Sequence, residues 1–193
     1  FSTAAAQLDY LIEEQPNIIA IYTNLMTKLN VIRLIRAIRS EERLRDSVVV
    51  LGGPDLRYNV ENYLATGADV LVIGEGEQSM LELTQAVEQG LRPHFGHIPG
   101  LAFIDSDGKI TQTPARKHLR AVDELPTPNR HKIDLHQYLH TWKTHHGRSS
   151  ITVSTQRGCP YTCRWCSTAV YGQSYRRRSA AQVATELKQL KET

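Results

Sequence analysis

All three cysteines of this 193-residue chain, Cys159, Cys163 and Cys166, fall within one short stretch in the pattern Cys-x3-Cys-x2-Cys. No second Cys-x2-Cys pair exists elsewhere in the sequence, so a four-cysteine zinc site cannot be filled. Three thiolates on one loop leave a coordination position over. A cubane [4Fe-4S] cluster held by three thiolates has the same property, and soft sulfur ligands suit iron–sulfur chemistry. Two other readings use the same residues. His145 or His146 would complete a zinc set of three cysteines and one histidine. A disulfide with one free thiol is the third, and an odd cysteine count without a secretion signal argues against it.

The run Arg157-Gly158-Cys159-Pro160-Tyr161-Thr162-Cys163-Arg164-Trp165-Cys166 resembles the signature of the radical S-adenosylmethionine superfamily, including the aromatic residue before the last cysteine. The resemblance implies that Cys159, Cys163 and Cys166 each ligate one iron and that S-adenosylmethionine chelates the fourth. It also implies that an electron from the reduced cluster cleaves the sulfonium to a 5′-deoxyadenosyl radical. The electron would come from an external donor of flavodoxin or ferredoxin type. Trp165 is then a candidate apolar wall against the adenine or the cluster, with simple loop packing as the alternative.

With 40% hydrophobic and 22% charged residues the chain is that of a folded globular protein, with room for one domain and part of another. The net charge of +3 is mild, and the triplet Arg176-Arg177-Arg178 lacks an aromatic-interleaved basic stripe. It reads as a solvated surface run, and no nucleic-acid partner is expected. No apolar run approaches the roughly 18 residues that span a bilayer, and no leader precedes the first helix, so a cytoplasmic location is expected. The chain opens on Phe1 rather than Met. Ala4, Leu8, Leu11 and Ile12 share one face of a helix starting after Ser2 or Thr3, with no strand before it, which reads as a fragment.

Strands and helices then alternate. Residues 17–23 (Ile18, Ile19, Ala20, Ile21), 47–51 (Val48, Val49, Val50) and 69–73 are short apolar runs suited to strands buried on both faces. Between them lie a helix with Val31, Leu34, Ile35 and Ile38 inward and Arg33, Arg36, Arg39, Glu42 and Arg43 outward, and a helix over 60–66. Another helix, over 79–89, follows the third strand. This order predicts an α/β fold with a doubly wound parallel sheet. Ligands of such sheets bind beyond the carboxyl ends of the strands, here Thr23, Gly52-Gly53-Pro54 and Gly74-Glu75-Gly76-Glu77. Glycines there let a backbone approach a bulky ligand. Gly-Glu-Gly-Glu reads equally as turn glycines with acidic residues in a first helical turn.

A second resemblance spans residues 5–193. Gly52-Gly53-Pro54, Gly74-Glu75-Gly76-Glu77, Ile98-Pro99-Gly100-Leu101, Leu125-Pro126-x-Pro128 and Arg157-Gly158-Cys159-Pro160 occur in the order seen in radical enzymes with an N-terminal cobalamin-binding domain. The resemblance implies a flavodoxin-like domain that holds cobalamin, N-terminally incomplete, beside the start of a partial TIM-type barrel that holds the cluster. Thr23, Gly52, Gly53, Pro54, Gly74, Glu75 and Gly76 are its candidate cobalamin contacts. No Asp-x-His-x-x-Gly is present, so no histidine is carried over as a lower cobalt ligand.

The expected divisions are residues 1–96, the cobalamin-binding-like domain; 97–148, a β-hairpin and linker; and 149–193, the start of the radical domain. The hairpin is predicted over 101–104 and 109–113 around Asp105-Ser106-Asp107-Gly108, and the proline-bearing stretch 114–128 as an extended connection. A short helix is expected over 134–142, and His131, His136, His140, His145 and His146 read as surface histidines. Residues 150–154 (Ile151, Val153) are predicted as the first barrel strand, with the cysteine loop at its carboxyl end. Ser179-Ala-Ala-Gln182 is a capping box for a last helix with Val183, Leu187 and Leu190 on one face. The chemistry expected is methyl transfer to, or rearrangement or cyclisation of, a small-molecule substrate. The competing reading is a non-catalytic iron–sulfur or zinc module in electron transfer or binding.

Overall fold

A computed structural model describes residues 3–91, 95–166 and 172–192. Two compact units divide it, the first running to His118 and the second starting at Leu119.

The first unit is built on a five-stranded sheet in the order β1 (Ile18–Tyr22), β2 (Val48–Gly52), β3 (Val70–Val72), β4 (Leu101–Ile104), β5 (Ile110–Gln112). β1, β2 and β3 are parallel, and the hairpin β4–β5 continues the sheet antiparallel from β3. Its turn is closed by Asp105, whose Oδ1 accepts from the backbone N–H of Asp107 and Lys109, each at 3.0 Å. Helices cover both faces, as the alternation of strand and helix requires. Val49, Leu51 and Leu71 meet α1 (Ala4–Glu14), α2 (Lys28–Ser40) and α3 (Val60–Ala65) on one side. Val48, Val50, Val70 and Val72 meet Leu83 and Ala86 of α4 (Glu77–Glu88) on the other.

The outer strand departs from expectation. β2 and β3 are buried on both faces, but Ala20 and Tyr22 of β1 are exposed, because β1 lies at the edge of the sheet among the described residues. Arg39 also differs from the outward role predicted for it. It donates to Gly67 O at 2.7 Å and Ser47 O at 3.1 Å and pairs with Asp69, which in turn accepts from Val49 N at 2.6 Å. A guanidinium with several donors in a fixed fork satisfies loop carbonyls on the helix side that water does not reach freely.

In the second unit, α5 (Leu135–His146) starts at Asp134, whose carboxylate accepts from Gln137 N at 2.9 Å, and ends at Gly147 in the left-handed region. α6 (Ala180–Glu192) starts at Ser179. Half of its capping box forms: Ser179 Oγ accepts from Gln182 N at 3.3 Å. The reciprocal bond does not form, because the Asp123 carboxylate takes Ser179 N at 2.9 and 3.1 Å and Gln182 Nε2 turns to Asp123 O at 2.8 Å. A carboxylate is the stronger acceptor.

The barrel strand predicted over 150–154 is not formed, and no closed barrel is present among the described residues. Two of the backbone carbonyls there face arginines instead: Arg178 Nη1 donates to Ser154 O at 3.0 Å, and Arg130 Nη2 lies 3.5 Å from Thr152 O. Strand pairing begins two residues later, where β6 (Gln156–Arg157) meets β7 (Arg176–Arg177) antiparallel.

Candidate functional site

Three strand ends stand side by side in the first unit. Tyr22 is level with Gly52, and Gly52 with Val72, so the segments leaving β1, β2 and β3 emerge together. Thr23 extends the ladder by one bond, its N–H donating to Gly52 O at 2.7 Å, and is fully buried. Register thus brings together Thr23, Gly52, Gly53, Pro54 and Gly74–Gly76, all singled out from the sequence.

The glycines there differ in what they are for. A Cβ on Gly53 would stand 1.9 Å from Thr23 O, and its φ of +134° lies where side-chain-bearing residues rarely go. Gly53 is therefore required by the fold. At Gly52 and Gly74 a Cβ would meet nothing within 4 Å. Open space in front of two glycines at adjacent strand ends is a cradle that larger residues would fill, and it fits a bulky planar ligand such as a corrin or the tail it carries. Gly76 precedes α4 and has Glu77 in its first turn, the helix-start arrangement that the sequence also allowed.

Residues the sequence reading passed over hold this crest together. Tyr63 of α3 donates its single phenolic proton to Asp55 at 2.7 Å, so Thr23, 3.3 Å away, donates to the phenol oxygen. Lys28 pairs with Asp55 at 3.2 Å and sits over the Tyr63 ring, 5.2 Å from its centroid. Burial acts to raise the Asp55 pKa, but the hydrogen bonds from Tyr63 and Lys28 and the lysine charge outweigh it and hold the carboxyl below its ordinary value. Burial raises the Tyr63 phenol, and the Asp55 carboxylate adds to the rise. A tyrosine on the inward face of a helix was the available signal, since a buried phenol needs a partner. At the third strand end Glu75 is buried and bonded to His118 Nδ1 at 2.9 Å. On the α4 side of the same unit, Arg116 donates to Ser79 Oγ at 2.8 Å and pairs with Glu82, while Ser79 donates to Pro99 O at 2.8 Å.

The cysteine loop belongs to the second unit. All three cysteines are free; Cys163 and Cys166 are exposed and Cys159 half-buried. Cys166 N donates to Cys163 O at 3.1 Å, a turn that puts the last two thiols on one bend. As donor chemistry, three uncommitted soft thiols on one loop fit an iron–sulfur cluster. Among the described residues no three His, Cys, Asp or Glu side chains are gathered into a metal-sized group, neither the cysteines together nor the cysteines with His145 or His146. Trp165 is 88% exposed.

The second unit also holds a cluster the sequence did not announce. Glu186 of α6 is 2% exposed, accepts from Arg130 Nη2 at 2.7 Å and pairs with Arg178. Burial acts to raise its pKa, but the hydrogen bonds and charges of Arg178 and Arg130 prevail and hold it below its ordinary value. The buried position on α6 is thus a carboxylate, while Leu187, expected inward, is half exposed. The triplet expected as a solvated run is largely structural. Arg176 donates to Leu119 O at 2.8 Å and Arg178 to Glu186, and only Arg177 lies out, stacked on Tyr175 with 4.7 Å to the ring centroid. Carbonyls and a carboxylate inside the unit are better partners for a guanidinium fork than water is.

No protein-family model matches the chain. Over 148 residues it is 34% identical to the anaerobic magnesium-protoporphyrin IX monomethyl ester cyclase of Rubrivivax gelatinosus, which covers 75% of this chain and 26% of that protein. Its fold matches the cobalamin-dependent S-adenosylmethionine radical enzyme OxsB, solved with aqua-cobalamin and S-adenosylmethionine bound. The TM-score is 0.80 at 22% identity, over 96% of this chain and 25% of that one. It also matches the radical S-adenosylmethionine methyltransferase TsrM of Kitasatospora setae, solved with cobalamin and a [4Fe-4S] cluster. There the TM-score is 0.68 at 21% identity, over 97% of this chain and 37% of that one. The mixed sheet with helices on both faces is therefore the α/β fold found in cobalamin-dependent radical enzymes. The chain belongs to the family of cobalamin-binding-domain radical S-adenosylmethionine methyltransferases and cyclases. It spans about a quarter of the length of the curated relatives it matches.

Proposed function

We propose that this chain supplies the cofactor-holding part of a radical S-adenosylmethionine enzyme. Cys159, Cys163 and Cys166 hold a [4Fe-4S] cluster, and the strand ends at Thr23, Gly52–Pro54 and Gly74–Gly76 hold cobalamin. Bound there, the cluster with S-adenosylmethionine supplies a 5′-deoxyadenosyl radical, and cobalamin supplies methyl transfer or a second redox centre. The residues of this chain do the holding. Three thiolates leave one iron open, Trp165 offers an apolar face beside the adenine, and Gly52 and Gly74 leave backbone bare where a corrin or its tail approaches. Substrate is a small molecule, and the reaction is methylation, rearrangement or cyclisation. An external flavodoxin- or ferredoxin-type protein donates the electron.

The observation that carries this reading is the set of three free thiols on one short loop, in a chain whose sequence and sheet match that family. The test uses the full-length protein, purified anaerobically and reconstituted with iron and sulfide. Broad visible absorption, an electron paramagnetic resonance signal altered by S-adenosylmethionine, and release of deoxyadenosine are expected. A colourless zinc protein overturns the reading, and a cluster that never cleaves S-adenosylmethionine reduces it to an electron-transfer module.

A further inference from the structure

We infer that Glu186 is a positioning residue for the cysteine loop, acting through Arg130 and Arg178 on the backbone that enters it; the inference rests on the cluster reading above. The chain from 150 to 155 lies in no strand among the described residues, yet the carbonyls of Thr152, Ser154 and Thr155 are met by Arg130 and Arg178. Arg178 holds it twice, by Nη1 to Ser154 O at 3.0 Å and by its backbone N–H to Thr155 O at 3.0 Å. Arg130 Nη2 reaches toward Thr152 O at 3.5 Å. Thr152 and Ser154 are two positions apart, the spacing at which carbonyls of an extended chain share an edge. Two guanidinium groups thus stand where a neighbouring strand would stand.

Glu186 fixes both. It is 2% exposed and bonded to Arg130 at 2.7 Å and to Arg178. A buried ion pair is a poor means of stabilising a helix, since an apolar side chain of similar volume costs less to bury. Its neighbours on that face, Val183 and Leu190, are apolar, so leucine was an available choice. What a carboxylate does and leucine cannot is orient two planar forks so that their remaining N–H groups face one edge of the backbone. From Ser154 the path to the first thiol is short and stiff. β6 pairs with β7, and Gly158, at φ +79°, lies against Ser174, where a Cβ would stand 2.1 Å from the carbonyl oxygen. Cys159 follows directly.

The test compares full-length wild type with Glu186→Gln, Glu186→Asp and Arg178→Lys, reading amide hydrogen exchange over 152–158 and iron retained under a chelator after anaerobic reconstitution. Glu186→Gln keeps the shape and removes the charge. It is expected to speed exchange in that segment and to lower retained iron, each by about tenfold, while exchange across β1 to β3 stays at the wild-type rate. Arg178→Lys keeps the charge, loses the fork and gives the same local change; Glu186→Asp recovers part of it. Exchange over 152–158 unchanged in Glu186→Gln overturns the inference, as does faster exchange with iron fully retained. Loosening that spreads equally to β1–β3 overturns it in favour of general stability. A wild-type protein that takes up no iron overturns the cluster reading itself, and normal uptake in wild type and Glu186→Gln alike overturns only the role of Glu186.

Discussion

Tyr63 donates its phenolic proton to Asp55 at 2.7 Å, and that bond ties the loop after β2 to the buried Thr23 after β1. Asp55 keeps Lys28 as a partner without it, but the Thr23 hydroxyl loses its acceptor. Tyr63→Phe is expected to cost about 1–2 kcal/mol. Denaturant unfolding of the full-length protein measures it, and a variant as stable as wild type would show that the network does not brace the crest.

Gly52 and Gly53 are adjacent and should respond in opposite ways. Gly53→Ala forces a side chain into the Thr23 carbonyl at a positive φ and is expected to destabilise by about 2 kcal/mol or more. A Cβ on Gly52 meets nothing within 4 Å, so Gly52→Leu is expected to keep its stability while cobalamin retained by the full-length protein falls sharply. Normal cobalamin content in a stable Gly52→Leu protein would remove the crest as its site.

Cys163 stands in the middle of the only cysteine cluster, with no other thiol in the chain to replace it. In the full-length protein Cys163→Ala should leave at most a labile remnant of the reconstituted cluster. Iron content and visible absorption equal to wild type would refute the ligand assignment.

Trp165 is 88% exposed, so its removal should cost the fold little. Trp165→Ala should weaken S-adenosylmethionine binding, read by isothermal titration, more than it lowers iron content. Equal losses of both would point to a loop-packing role.

Acid should loosen the second unit through Glu186. Its pKa in the folded protein is below the ordinary 4.5, so the stability it contributes is present above that value. That stability is lost as pH falls through the lower, folded value. Between about pH 6 and about pH 3 the wild-type melting temperature should fall more steeply than that of Glu186→Gln, which has no proton to take up there. Parallel profiles would mean that the buried pair does not govern acid stability.

What the sequence determined by itself was whatever local spacing encodes. Apolar runs of strand length, helical periodicity in α2 and α4, the turn of the hairpin and the crowding of three cysteines into one loop each lie within a few residues of chain, and each is present. Ser179 was readable as a cap, Gly52–Pro54 and Gly74–Gly76 as strand ends. Tertiary structure decided the rest. It made β1 the edge, so that Ala20 and Tyr22 of an apolar run are exposed, and it carried the hairpin onto β3. It left 150–154 without a strand neighbour among the described residues and gave the carbonyls of Thr152 and Ser154 to arginines, drew Glu186 inward where periodicity pointed to Leu187, and turned Arg176 and Arg178 away from solvent. It also separated two neighbouring glycines, one held by Thr23 and one open. These outcomes rest on partners far apart in sequence, such as Glu75 with His118 or Tyr63 with Thr23. Periodicity reports which side of its own element a residue faces; which distant carboxylate, carbonyl or phenol waits there is set only when the elements pack.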